Sequence, residues 1–148
     1  MIRIRPMVPD DIPDIVNIEK ACFPDPWNAL LFYIELRHPD VHSLVAADRK
    51  KCCAYLIFRK EEKGLHILNL AVIESHRRRG IAGKLLRRML HYAKRVSAPA
   101  LILEVSENNT AARAFYTAKG FEVYGREAGY YEHDASDALR MMKKLEKM

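Results

Sequence analysis

The sequence predicts an α/β (α+β) fold in one domain, a mixed and mostly antiparallel sheet of about seven strands flanked by four helices. Three observations carry that expectation. Stretches with strand period and stretches with helix period follow in the order β-α-α-β-β-β-α-β-α-β-β. The 148 residues are 49% hydrophobic and 30% charged, enough apolar material for one core and too much for a disordered chain. No repeat, low-complexity tract or linker interrupts residues 1–148.

Ile2-Arg3-Ile4-Arg5 alternates apolar and charged side chains, the pattern of a short strand. Pro9-Asp10-Asp11 starts a helix, because proline and acids suit a first turn whose N–H groups are free. Ile12, Ile15, Val16 and Ile18 give that helix its apolar stripe. The prolines of Phe23-Pro24-Asp25-Pro26-Trp27 forbid its continuation. Asn28 caps a second helix through Arg37, with Leu30, Leu31, Ile34 and either Phe32 or Tyr33 turned inward. Three strands follow, His42 to Ala47, Cys52 to Arg59 and Leu65 to Ile73. The short polar turns Asp48-Arg49-Lys50 and Glu61-Glu62-Lys63-Gly64 make them an antiparallel meander. Gly80 to Val96 is a helix with Ile81, Leu85, Met89, Ala93 and Val96 on one face. Leu101 to Val105 is an apolar strand, and Asn109 to Lys119 a short helix closed by Gly120. Phe121 to Tyr124 and Ala138 to Leu145 are the last strands, joined by a loop of glycine, tyrosine and acids.

No run approaches 18 consecutive apolar residues, and the start lacks a signal peptide's apolar stretch. A cytoplasmic protein with no membrane partner is expected. Cys22, Cys52 and Cys53 have neither a disulfide-framework spacing nor a metal-ligand spacing, so no metal is expected. The net charge of +6 is concentrated. Between Glu74 and Glu104 there is no acid, and Arg77, Arg78, Arg79, Lys84, Arg87, Arg88, Lys94 and Arg95 supply +8 against −2 elsewhere.

The basic segment begins as a loop between an apolar strand and a helix, Asn69-Leu70-Ala71-Val72-Ile73-Glu74-Ser75-His76-Arg77-Arg78-Arg79-Gly80-Ile81-Ala82-Gly83-Lys84. A helix's first turn leaves backbone N–H groups without partners, aimed where an anion can sit. Small residues at 80, 82 and 83 let the backbone approach a pyrophosphate, and the arginines and Lys84 add charge. Neither the lysine-bearing P-loop nor the dinucleotide fingerprint is present.

Arg77-x-x-Gly80-x-Ala82 resembles the signature loop of the Gcn5-related N-acetyltransferases (GNAT), including its Ala-Val strand and Leu-Leu continuation. The resemblance runs from Ile2 to about Leu145, is strongest over 69–121, and is close to the RimI-type N-terminal α-amine acetyltransferases. Glu74 stands where many members have proline. The resemblance implies acetyl-CoA as co-substrate, its pyrophosphate on Arg77, Arg78, Arg79, Gly80, Ile81, Ala82, Gly83 and Lys84 and its pantetheine arm along Leu70, Ala71 and Val72. Asn109 and Tyr116 are similar to the family's coenzyme-contacting asparagine and tyrosine. Phe23 and Trp27 lie in a turn that resembles the group's Phe-Pro-x-Pro-Trp type, and Tyr130 and Tyr131 its double-tyrosine substrate loop. The implied acceptor is a protein or peptide N-terminus, with nucleic acid involved only indirectly, through a ribosome.

Acetyl transfer to an amine needs a base for the amine's protons and a donor for the departing thiolate. Glu104 is the sole acid of Leu101-Ile102-Leu103-Glu104-Val105, and Tyr116 follows twelve residues later. RimI-type enzymes show that spacing, which implies Glu104 as base and Tyr116 as acid. His66 is a second candidate base, since its ordinary pKa suits proton relay near neutrality. Two other functions compete: acetylation of a lysine, polyamine or small amine, and nucleic-acid binding by the basic helix. The last needs stacking aromatics along a stripe about 21 Å long. Tyr92 is the one aromatic there.

Overall fold

The computed structural model describes residues 1–146. Its strands are β1 (Ile2–Pro6), β2 (Val41–Asp48), β3 (Lys51–Glu61), β4 (Gly64–Val72), β5 (Ala100–Ser106), β6 (Glu122–Glu127) and β7 (Ala138–Lys144). The helices are α1 (Ile12–Cys22), α2 (Ala29–Leu36), α3 (Ile81–Arg95) and α4 (Thr110–Ala118). Strand order is β1-β2-β3-β4-β5-β7-β6. The β4–β5 pair is parallel, while β1–β2, β2–β3, β5–β7 and β6–β7 are antiparallel. The mixed sheet of seven strands and four helices is as expected. Among the described residues no helix is long and apolar enough to cross a membrane, and no group of three His, Cys, Asp or Glu residues could hold a metal ion.

The chain divides into two compact units, Met1–Lys60 with Leu68–Tyr92, and Glu61–Ile67 with Ala93–Met148. In the first, β3 is buried without alternation from Cys52 to Phe58, the signature of a strand covered on both faces. Ile12, Ile15 and Ile18 of α1 and Phe32 of α2 pack with Val45, Tyr55 and Ile57. The start of α1 is fixed by Asp11, whose buried carboxylate accepts two hydrogen bonds from Arg5 (2.7 and 2.8 Å) and one from the Val8 N–H. The guanidinium holds the Asp11 carboxyl below its ordinary range.

The inward face of α2 differs from expectation. Phe32 is buried, but Leu30 is 67% and Ile34 57% exposed, and Leu31 and Tyr33 are exposed too. Five consecutive apolar residues carry no period, so they cannot announce which side faces the core. The Asn28 cap, accepting from the Leu31 N–H at 2.9 Å, fixes where the helix starts. Phe32 then lies 5.2 Å from the Trp27 ring and 6.0 Å from Tyr55, centroid to centroid.

Helix α3 buries Ile81, Leu85, Leu86, Met89 and Ala93. It ends one residue short of Val96, because Ser97 takes a left-handed φ of 57° and the Ala98 N–H closes back on the Ala93 carbonyl at 2.9 Å. In the second unit β5 is the buried strand, with Leu101 and Ile102 paired to Leu65 and His66 of β4, and Glu104 opposite Arg140 of β7. Asn109 caps α4 by accepting from the Ala112 N–H. Val123 and Tyr124 of the edge strand β6 are exposed.

Candidate active site

The basic loop belongs to the first unit. From β4 the chain passes through a short 3-10 turn at Glu74–His76 and reaches α3 by two left-handed residues, Arg78 (φ 65°) and Gly80 (φ 74°). The first helical bond runs from the Lys84 N–H to the Gly80 carbonyl, 3.1 Å. The N–H groups of Ile81, Ala82 and Gly83 therefore precede the helix's own acceptors. A Cβ at Gly80 would meet nothing within 4 Å, so the backbone there lies open to an anion. Arg78, Arg79 and Lys84 are exposed around it. These are the requirements of a diphosphate.

Arg77 has a further use. Its Nε donates to the Val72 carbonyl at 2.9 Å and its Nη2 to Cys22 Sγ at 3.3 Å, so it braces the end of β4. Leu70, Ala71 and Val72 alternate half-buried, buried and half-buried along that strand.

Phe23 and Trp27 are half-buried and pack against the core of this unit. A buried carboxylate that sequence reasoning missed holds their turn. Glu19, 2% exposed, accepts from the Trp27 N–H at 3.0 Å, from Asn69 Nδ2 at 2.9 and 3.1 Å, and from the Tyr55 hydroxyl. Burial pushes the Tyr55 phenol far up, so it stays a donor. The signal was in the sequence, since Glu19 falls four residues after Ile15 on the apolar face.

The candidate proton-handling groups lie in the second unit. The structure joins the two candidate bases: His66 Nε2 is 2.5 Å from Glu104 Oε2. Glu61, missed in a segment that reads as a turn, stands 2.7 Å from His66 Nδ1. Hydrogen bonds to Glu104 and then Glu61 raise the imidazole pKa against the opposing effect of burial.

Tyr116, 8% exposed, packs its ring against Phe115 and Phe121, and burial raises its phenol well above the ordinary value. It keeps its proton at any working pH. Tyr130 is exposed, and Tyr131 is half-buried with its ring 4.9 Å from that of Tyr130. Burial, then Tyr130, then the Glu104 charge push the Tyr131 phenol up to about 12. The loop carrying both is tied by Asp137, which accepts from Arg126 at 2.6 Å and from the Gly129 N–H at 3.0 Å. The Tyr131 N–H donates to the Ser136 carbonyl at 3.2 Å. The side-chain oxygen of Asn109 is committed to its helix cap.

Residues 12–121 match the Acetyltransferase (GNAT) family. N-alpha-acetyltransferase 20 of Dictyostelium discoideum is 30% identical over 152 residues, covering 98% of this chain and 87% of that protein. The crystal structure of the ribosomal-protein-S18-alanine N-acetyltransferase from Escherichia coli is similar at a TM-score of 0.91 and 23% identity, over 100% of this chain and 96% of that one. Arabidopsis thaliana NAA60 in complex with acetyl-CoA is similar at a TM-score of 0.87 and 22% identity, over 98% and 99%. With 110 of its 148 residues inside the family's span, the chain belongs to the acetyltransferase (GNAT) family.

Proposed function

We propose that the chain moves the acetyl group of acetyl-CoA directly to the N-terminal α-amine of a protein or peptide, both substrates being bound together. The observation that carries this reading is the Glu104–His66 contact. An α-ammonium has a pKa of about 7.7–8.0, against about 10.4 for lysine, and a lone carboxylate, ordinarily near 4.3, is a weak base for both. A carboxylate sharing its proton with a raised imidazole is matched to the α-amine. Tyr130 and Tyr131, on a loop tied by Asp137, would line the peptide, with Phe23 and Trp27 at the turn that Glu19 holds.

Acetyl-CoA supplies the activated thioester. The loop N–H groups, Arg78, Arg79 and Lys84 take its phosphates, and Leu70 to Val72 and Asn109 its arm. Glu104 removes the ammonium's first proton, the freed amine attacks the thioester carbon, and as the carbon–sulfur bond breaks the nitrogen's second proton passes to the departing sulfur. Tyr116, a buried phenol, donates a hydrogen bond to the sulfur as its negative charge develops. Tyr116→Phe is expected to lower kcat about tenfold while leaving the KM for acetyl-CoA unchanged. Steady-state kinetics check this, and an unchanged kcat removes Tyr116 from the chemistry.

The deciding experiment is acetylation of a peptide panel varied at its first two residues, with an N-terminally blocked, lysine-containing control. Product on the α-amine and none on the blocked peptide is expected. Equal transfer to lysine would move the assignment to side-chain or small amines. Binding of nucleic acid gains no support, because Tyr92 bonds to His42 at 3.0 Å and packs 4.6 Å from its ring. Its face is turned to protein.

A further inference from the structure

His66 bridges two carboxylates, and the geometry has a consequence for how the site holds protons. A neutral imidazole carries one N–H, so one of its nitrogens is a bare lone pair. Here both nitrogens lie at hydrogen-bond distance from a carboxylate oxygen, 2.7 Å on the Glu61 side and 2.5 Å on the Glu104 side. With a neutral ring and two ionised carboxylates, a lone pair would press against an anionic oxygen. Protonation of the ring relieves this, with one N–H then facing each carboxylate.

We propose that Glu61 is a positioning residue for the base, forming a Glu61–His66–Glu104 relay that takes the acceptor amine's proton and delivers it to water. The idea rests on the function proposed above and adds a member and an exit to its base. In the working form, with one ring proton released, Glu61 accepts from Nδ1–H and so fixes the tautomer that leaves Nε2 toward Glu104. The ammonium N–H bond breaks as the proton passes to Glu104. From there it moves to Nε2 while the Nδ1 proton moves to Glu61 and then to solvent. One proton enters, one leaves, and the trio returns to its starting charge. Exposure fits that direction, since Glu61 is the most open of the three side chains at 33%, against 28% for Glu104 and 19% for His66.

Among the described residues, two further charged or titratable groups bear on Glu104. Tyr131 comes from the β6–β7 loop and feels the Glu104 charge. Arg140 sits opposite Glu104 on β7, with its guanidinium bonded to Glu127 at 3.2 Å. Neither replaces Glu61 at Nδ1.

The test is Glu61→Gln, which keeps an oxygen for Nδ1–H but removes the charge. Without that charge the imidazole binds its proton less tightly. The acidic limb of kcat/KM against pH is therefore expected to move down by about one pH unit, with the KM for acetyl-CoA unchanged. Glu61→Asp, which restores the charge, should bring the limb back toward the wild-type position. An NMR titration of His66 in the protein without substrates should show the same downward shift for Glu61→Gln. That second readout needs no acceptor, so it judges the Glu61–His66 coupling even if the amine assignment fails. A lower melting temperature with an unmoved limb and an unmoved His66 titration would reduce Glu61 to a structural contact and overturn the proposal.

Discussion

Glu104→Gln is expected to lower kcat about 100-fold with little change in the KM for acetyl-CoA, the size of effect a lost general base produces. Glutamine preserves the shape and an oxygen facing His66 Nε2, so the loss reports the carboxylate's basicity rather than a collapsed site. The pH profile carries a second expectation. Glu104 is the largest cause of the raised His66 pKa, ahead of Glu61, and burial works against both. Without it the imidazole gives up its proton more readily. The base works deprotonated, so wild-type activity rises with pH through the raised value, and the residual activity of the variant should rise from a lower pH. His66→Ala leaves Glu104 in place as a weak, lone base, and its loss should be smaller. Should His66→Ala prove the more damaging, the amine's proton goes first to the imidazole. A Glu104→Gln enzyme within twofold of wild type would remove Glu104 from the chemistry.

What the sequence made legible follows from how locally each feature is determined. The apolar run Cys52 to Phe58 could be read as a covered strand, because burial on both faces removes alternation. The basic loop was equally readable, since strand, arginines, Gly80 and helix start are contiguous. Helix α2 was not, as Leu30 to Ile34 are apolar on every side and the choice of Phe32 depends on the distant Trp27 and Tyr55. Within the site, Glu104 and Tyr116 could be proposed from spacing, and His66 only as a rival to Glu104. Their partnership joins residues 38 apart in the chain, brought together where His66 pairs with Ile102 in parallel register. Glu61 was hidden for a different reason. Glu61-Glu62-Lys63-Gly64 has the composition of a turn, yet β3 continues through Glu61 and leaves Glu62 and Lys63 to connect it to β4. Two residues of extra strand beyond Arg59 turn a solvated loop acid into a neighbour of His66. Glu19 was hidden by the ordinary expectation that acids face water, although three donors satisfy it in the core.

The loop yields the other large expected effect. Gly80→Glu should weaken acetyl-CoA at least about 100-fold, because a carboxylate at the helix start would stand beside the diphosphate and repel it. The fold should survive the change. Nothing lies within 4 Å of a Cβ at position 80, so the side chain meets no wall. The left-handed φ of 74° costs an L-residue about 1–2 kcal/mol. A negative charge at a helix N-terminus returns part of that, about 0.3–1 kcal/mol. The folding equilibrium thus moves little while the anion site is occupied by its own competitor. Gly80→Ala separates the two contributions, since it carries the backbone strain without the charge and should retain most of the affinity. Thermal denaturation with and without acetyl-CoA reads both at once. Wild type and Gly80→Ala should gain stability as the ligand saturates, by about 2.7 kcal/mol at 100 times the Kd, and Gly80→Glu should gain almost none. A full ligand-induced shift in Gly80→Glu would mean that the phosphates bind elsewhere, and the open backbone at the start of α3 would lose its role.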